Sequence, residues 1–322
     1  MPADGVGVGR IRTRPAPSSG GASLRGTSVV LTGATAGIGA VMADELARRG
    51  ASLFLIARDR TRLETVLRLH RGQGADVDGA VCDLAEPAAV RSIAEVIRST
   101  HPRLDVLINN AGALFYQFAT NSAGDEKTFA LNVLAPFLLM ETLWPSLAAS
   151  GAGRVVNLAS TAHRTGTIDL ADIDRRRHYR GWAAYSQSKL ALLLLTREAP
   201  RRHPGSPVTV NACHPGFVRS HFGLEGRGWG PALMRFAQRI GAISPERGAA
   251  TPLFLATDPS VARYTGEYFA KRSLARGSRR SLDPATARAL WDLCEERAGR
   301  GARPPVTAGR SGSGSAGPSP AS

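Results

Sequence analysis

Tyr185 and Lys189 stand four residues apart in Tyr185-Ser-Gln-Ser-Lys189, a spacing that puts both side chains on one face of a helix. A phenol ionises at about pH 10, roughly three units too high for easy proton exchange at neutral pH, and a cation held beside it favours the phenolate and lowers that value. Lys189 is placed to be that cation. Among 41 Lys+Arg residues the lysines are only Lys127, Lys189 and Lys271, so lysine is used here where arginine was abundantly available. A compact ammonium can hydrogen-bond a sugar and approach a phenol together, whereas a guanidinium fork is shaped for planar anions. The pair therefore reads as a proton-exchanging couple, although an exposed helical pair shows the same spacing.

A second pattern decides between those readings. Ser28-Val-Val-Leu31 is an apolar, β-branched run that reads as a buried strand, and it leads into Thr32-Gly33-Ala34-Thr35-Ala36-Gly37-Ile38-Gly39. Ala40 to Arg49 then carries helix formers with an apolar stripe through Val41, Leu46 and Ala47, and Gly50 stops it. Strand, glycine turn and helix in that order is the context a dinucleotide fingerprint requires. Gly33 permits the tight turn, Gly37 and Gly39 let backbone and helix approach closely, and the helix start presents unpaired N–H groups to a pyrophosphate.

With T-G-x-x-x-G-I-G followed by Y-x-x-x-K, the chain resembles the short-chain dehydrogenases/reductases. Cys82-Asp83-Leu84, Asn109-Asn110-Ala111-Gly112, Leu131-Asn132-Val133, Val155-Val156-Asn157-Leu158-Ala159-Ser160 and His214-Pro215-Gly216 match further motifs in chain order, over roughly residues 24 to 295. The distance from Ser160 to Tyr185, the insert from Arg164 to Trp182 and the ending Tyr264-Thr-Gly-Glu-Tyr-Phe269 look like the retinol-dehydrogenase-like branch. The resemblance implies hydride transfer between nicotinamide C4 and an alcohol or carbonyl carbon, with Tyr185 exchanging the proton at oxygen. It implies that Ser160 hydrogen-bonds the substrate oxygen, that Lys189 binds the nicotinamide ribose and lowers the tyrosine pKa, and that Asn132 holds a proton-relaying water. It assigns Gly33, Thr35, Ala36, Gly37, Ile38, Gly39, Asp83, Leu84, Asn110, Ala111, Gly112, Tyr185, Lys189, Pro215 and Gly216 to the cofactor, with Asp83 at the adenine amino group. Dimers or tetramers formed through helix faces are implied as well. For Asn132 a buried asparagine satisfying a helix kink is the competing reading, and Asn157, His163 and His214 read as structural.

These residues must be positioned by a scaffold, and its rhythm is visible. Strands over Ser28 to Thr32, Ser52 to Ala57, Asp78 to Asp83, Val106 to Asn109, Arg154 to Ala159, Thr209 to His214 and Tyr268 to Ala270 alternate with helical segments. That alternation predicts an α/β fold, a Rossmann-type doubly wound parallel sheet of about seven strands with helices on both faces. A single catalytic domain over 24–298 is expected within the 322 residues. Residues 1–23 and 299–322 are rich in Gly, Pro, Ser and Arg and read as disordered tails. Net charge is +15 and the pI about 11.0, yet no aromatic platform or reading helix accompanies the arginines, so solvated helix faces are expected rather than a specific nucleic-acid partner. Apolar runs such as Leu134 to Met140 are shorter than the roughly 20 residues that span a bilayer, and no secretory leader is visible. Cys82, Cys213 and Cys294 lie far apart, which points to neither a disulfide framework nor a metal site and suits the cytoplasm.

Cofactor choice turns on Leu53-Phe54-Leu55-Ile56-Ala57-Arg58-Asp59. An acidic residue closing this strand would favour NAD; here Ala57 closes it and Arg58 offers charge-assisted bonds to a 2′-phosphate, so NADP is expected ahead of NAD. Ala36, where many NADP-using relatives carry a basic residue, and Asp59, close enough to pair with Arg58, weigh the other way. Phe217 to Ser244, with Phe222, Leu224, Trp229, Leu233, Met234 and Phe236, is expected to form a substrate lid with an apolar inner face. A hydrophobic alcohol, aldehyde or ketone follows. A nucleotide-sensing protein without turnover is the alternative, and its sequence mark would be loss of the tyrosine or lysine.

Overall fold

The computed structural model describes residues 22–216 and 243–299. The tails expected over 1–23 and 299–322 and the lid expected over 217–244 fall, apart from a residue or two at their inner edges, outside the described residues. Strands β1 (Ser28–Thr32), β2 (Ser52–Ala57), β3 (Val77–Val81), β4 (Val106–Asn109), β5 (Arg154–Leu158), β6 (Thr209–His214) and β7 (Tyr268–Ala270) pair in parallel in the order β3-β2-β1-β4-β5-β6-β7. Two windings therefore diverge from the β1/β4 seam, the crevice position at which open α/β sheets bind ligands. The doubly wound parallel sheet read from the sequence is the observed one.

An eighth strand, β8 (Ser273–Leu274), adds antiparallel to β7 through the pairs Phe269↔Leu274 and Ala270↔Ser273. The connecting residues Lys271 and Arg272 both sit at positive φ, 51° and 58°. Such a two-residue hairpin turn normally announces itself with Asn-Gly or Asp-Gly. Lys-Arg gives no such signal, and two residues are too short a strand to show periodicity. Two strand ends also move inward from expectation. β3 stops at Val81 because the Asp83 carboxylate accepts from Ala85 N–H at 3.0 Å and turns the chain, and β5 stops at Leu158.

Helices α1 (Gly37–Arg48), α2 (Arg60–Gly72) and α6 (Pro245–Thr257) cover one face of the sheet, and α3 (Pro87–Thr100), α4 (Lys127–Ala149), α5 (Gly181–Arg202) and α7 (Pro284–Gly299) the other. In α1 the buried stripe runs Gly39, Met42, Ala43, Leu46, Ala47, so the helix begins three residues earlier than the sequence suggested and Val41 lies at the edge of the stripe. Helix α4 is the one helix among the described residues long and apolar enough to cross a bilayer, and 78% of that apolar window is buried within this fold. In α5 the Leu190 to Leu195 run is buried on all sides, between the sheet and α7. That explains why its apolar residues are consecutive rather than striped.

A buried ionic network fixes α7 to the other helices. Arg297 Nη1 lies 2.8 Å from both Asp125 and Asp174, and Nη2 is 3.0 Å from Asp174. Burial alone would raise the Asp174 carboxyl, but the Arg297 hydrogen bonds and the Glu126 N–H outweigh it and hold the group below the ordinary carboxylate range. Glu126 in turn caps α4, accepting from Thr128 N–H at 2.8 Å and Phe129 N–H at 2.9 Å. Replacing Arg297 by leucine leaves the buried Asp125 carboxylate without its cation and Asp174 with the more exposed Arg176 at 3.5 Å. Chemical denaturation should show a loss of about 3–5 kcal/mol, and a loss below about 1 kcal/mol would mean that the network is solvated.

Candidate active site

The loop between β1 and α1 is packed as tightly as glycine allows. Gly33 has φ 69°, and a Cβ on Gly39 would overlap the Gly33 carbonyl and lie 2.7 Å from Asn110 Nδ2. Asn110 secures the arrangement from β4: its Nδ2 donates to Thr32 O at 2.8 Å and Gly33 O at 3.1 Å, and its N–H donates to Thr32 Oγ1 at 3.0 Å. The N-cap of α1, Ala36, supplies no side-chain acceptor. The first N–H groups of the helix are thereby left to whatever binds in front of them.

Ser160, Tyr185 and Lys189 converge from two elements. Ser160 follows β5 and its Oγ accepts from Ala162 N–H at 3.2 Å, while Tyr185 and Lys189 sit on successive turns of α5. The Ser160 hydroxyl hydrogen-bonds the Tyr185 phenol. Leu114 and Ala162 pack against the phenol ring. Lys189 Nζ lies 5.7 Å from the Tyr185 ring centroid and donates to the Leu158 carbonyl at 2.8 Å. Burial moves both groups. The phenol is pushed up to about 12, with the Ser160 hydrogen bond opposing, and the ammonium is drawn down to about 8. This corrects the expectation that Lys189 lowers the tyrosine pKa: among the chain's own groups desolvation dominates, and the ammonium is directed at a carbonyl rather than the phenolic oxygen.

Asn132 occupies a π-helical turn, Ala130–Leu134, within α4. It is fully buried, and its amide is committed to the chain: Oδ1 accepts from Ala113 N–H at 3.0 Å, and Nδ2 donates to Ala113 O and Ser188 Oγ, both at 2.9 Å. The side chain therefore lies behind the wall formed by Gly112 and Ala113. The side-chain geometry fits the reading of Asn132 as a residue that satisfies a helix irregularity.

In front of these groups opens a cleft of about 770 Å³ at the β1/β4 seam. Apart from Asn132, every sequence-predicted site residue lines it. The glycine loop (Gly33, Thr35, Ala36, Gly37, Ile38, Gly39), Arg58, Asp83, Leu84, Asn110, Ala111, Gly112, Pro215 and Gly216 share its surface with Ser160, Tyr185 and Lys189. Arg62 lines the Arg58 end, where Asp59 caps α2 by accepting from Arg62 N–H at 3.0 Å. An apolar wall of Leu114, Phe115 and Trp182 flanks the phenol, with the Trp182 indole half-exposed and its centroid 5.8 Å from that of Tyr185. Phe115, Lys127 and Trp182 were not singled out from the sequence. Trp182 could have been, since it lies one turn before Tyr185 on the same helix face; Phe115 and Lys127 carry no local signal. Among the chain's own features, the tight glycine loop, the open start of α1 and the basic residues beyond β2 fit a dinucleotide.

The short chain dehydrogenase family model matches residues 27–227. The chain belongs to the short-chain dehydrogenases. It is 38% identical to retinol dehydrogenase 13 of Homo sapiens over 277 residues, covering 84% of each protein. Among solved structures it is similar to an uncharacterized protein from Mycobacterium Paratuberculosis, with a TM-score of 0.70, 33% identity and coverage of 86% of this chain and 95% of that one. It also matches Pseudomonas aeruginosa RhlG in an NADP active-site complex, with a TM-score of 0.61, 28% identity and coverage of 77% and 95%. This short-chain dehydrogenase is thus an NAD(P)-dependent oxidoreductase that interconverts CH–OH and C=O groups.

Lys189 generates a stability prediction. Its folded pKa of about 8 lies below an unfolded value of about 10.4. Between those values the unfolded chain binds more protons, so stability rises with pH across that window. Lys189→Met should abolish turnover yet be at least as stable as wild type at pH 7. Its advantage in denaturation measurements should shrink by about 3 kcal/mol between about pH 8 and about pH 10.5. A difference independent of pH would show that the ammonium is not desolvated.

Proposed function

We propose that this short-chain dehydrogenase is an NADP(H)-preferring reductase of apolar aldehydes and ketones with Tyr185 as general acid. The observation that carries the reading is the hydrogen-bonded Ser160–Tyr185 hydroxyl pair facing the cleft, with a buried ammonium one turn further along α5. Bound NADPH supplies a hydride to the carbonyl carbon. The electron pair of the C=O π bond moves to oxygen, and Tyr185 delivers the phenolic proton there, completing the alcohol. A phenol held at about 12 remains fully protonated at neutral pH, which suits an acid in the reductive direction. Ser160 donates to the same oxygen as charge develops on it. Lys189, charged below about pH 8 and one turn beyond Tyr185 on the cleft wall, offers its remaining N–H donors to the cofactor ribose.

Arg58 and Arg62 at one end of the cleft support NADP over NAD, because a 2′-phosphate is matched by guanidinium donors. The NADP named in the Pseudomonas complex agrees in kind. At the other end, Leu114, Phe115 and Trp182 offer a mainly apolar surface beside the reacting hydroxyls, which selects a hydrophobic carbonyl over a sugar. Retinol dehydrogenase 13 is named for a substrate of that character. Asn132 is a positioning residue that joins α4 to the Gly112–Ala113 turn. The remaining elements of this reading are a catalytic domain over 24–298, a lid over 217–244 and cytoplasmic residence; the free thiols of Cys82, Cys213 and Cys294 suit a reducing compartment.

Steady-state assays of NADPH and NADH oxidation with a panel of apolar and polar carbonyls test this reading. Tyr185→Phe should lower kcat at least about 100-fold with KM little changed. Arg58→Ala should raise the KM for NADPH about tenfold or more and leave that for NADH nearly unaltered. Turnover undiminished in Tyr185→Phe would remove the mechanism, and equal loss with both cofactors in Arg58→Ala would remove the NADP preference.

A further inference from the structure

His163 is fully buried three residues after Ser160, at the end of a 3-10 turn that Ser160 caps. Its ring joins two segments far apart in the chain. Nδ1 lies 2.5 Å from the Ser160 carbonyl oxygen, and Nε2 lies 3.1 Å from the N–H of Ser278. The Tyr268 ring of β7 packs edge-on against it, centroids 5.1 Å apart. A backbone N–H can only donate, so Nε2 must be the acceptor and Nδ1 must carry the hydrogen given to Ser160. One neutral tautomer satisfies both contacts, and burial favours the neutral ring.

Among the described residues the same two segments are also joined by the exposed bond from Arg164 Nη2 to Arg276 O at 2.8 Å and the part-buried bond from Arg280 Nη1 to Gly166 O at 3.3 Å. His163 is the link whose side chain is fully buried and reaches Ser160 itself. It acts on the backbone of the residue whose hydroxyl meets Tyr185. With the Ser160 carbonyl anchored on one side and its Oγ held by Ala162 N–H at 3.2 Å on the other, the hydroxyl has little freedom to turn away from the phenol. Catalysis that depends on preorganised donors is sensitive to displacements of about 1 Å.

We propose that His163 is the residue that positions Ser160 in this site. Through its ring the Ser278 turn beyond β8 holds the Ser160 hydroxyl in register with Tyr185. The inference rests on the roles given above to Ser160 and Tyr185, but its Nδ1–H tautomer can be checked without turnover.

The test compares His163→Asn, whose amide takes the place of Nδ1 and keeps a donor toward Ser160, with His163→Gln, whose amide reaches toward Ser278, and with His163→Ala. Measured are kcat and KM for a carbonyl that the wild type reduces, and Kd for NADPH. The alanine variant should lose kcat about 10- to 100-fold with Kd for NADPH within about twofold of wild type. The asparagine variant should recover most of that loss and the glutamine variant little of it. Undiminished kcat in the alanine variant, or equal losses in the asparagine and glutamine variants, would overturn the proposal. If the alanine variant does not fold, the asparagine and glutamine pair decides it. Separately, nitrogen NMR of histidine-labelled protein should show His163 neutral at pH 7 with the proton on Nδ1; a proton on Nε2 would overturn the inference even where wild-type turnover is as expected.

Discussion

A buried ammonium governs the architecture around the cleft. Lys189 sits almost wholly inside the protein, donating to the Leu158 carbonyl where β5 ends. That bond ties α5 to the sheet at the height of the catalytic hydroxyls. The surrounding positions answer to it: a Cβ on Gly112 would lie 3.3 Å from Nζ and 3.1 Å from Asn132 Oδ1, so this turn has little room for a larger residue. Desolvation makes the site expensive for the fold. The rest of the core must hold α5 in place against that cost.

Two devices do so. On one side, the π turn of α4 brings Asn132 to Ser188, one residue before Lys189, and to both backbone groups of Ala113. On the other, α7 lies along α5 and is locked by Arg297 to Asp125 and Asp174. Asp125 and Glu126 stand at the start of α4, and Tyr179, in the insert before α5, places its hydroxyl 3.0 Å from Glu126 and 2.8 Å from the Phe115 carbonyl, either of which can accept its one hydrogen. The C-terminal helix is thereby connected through buried polar contacts to the segment that forms the apolar wall. Such buried polar networks favour one arrangement of the elements they join, even though the buried Arg297 Nε has no hydrogen-bond partner among the described residues.

Strong, local features made much of the molecule legible in its sequence. Ser28-Val-Val-Leu31 followed by the glycine run fixed the first strand, turn and helix, because each residue type there answers a backbone requirement that does not depend on distant contacts. The start of α1 and its buried stripe were harder, since Gly37 enters the helix at φ 53° and Gly39 packs against Gly33 and Asn110 from other segments. β8 was invisible for a similar reason: a Lys-Arg hairpin turn at positive φ is held by its surroundings, including Thr251 Oγ1, which accepts from Arg272 N–H at 3.3 Å.

The sequence on its own determined the order of strands and helices, the glycine loop and the pairing of Tyr185 with Lys189, all of which follow from residue type and short-range spacing. Tertiary structure alone decided the protonation behaviour of that pair, the commitment of the Asn132 amide and the link from His163 to Ser278. Each of these depends on how deeply a group is removed from water and on which partner from a distant segment faces it, and neither quantity is encoded in the neighbouring residues.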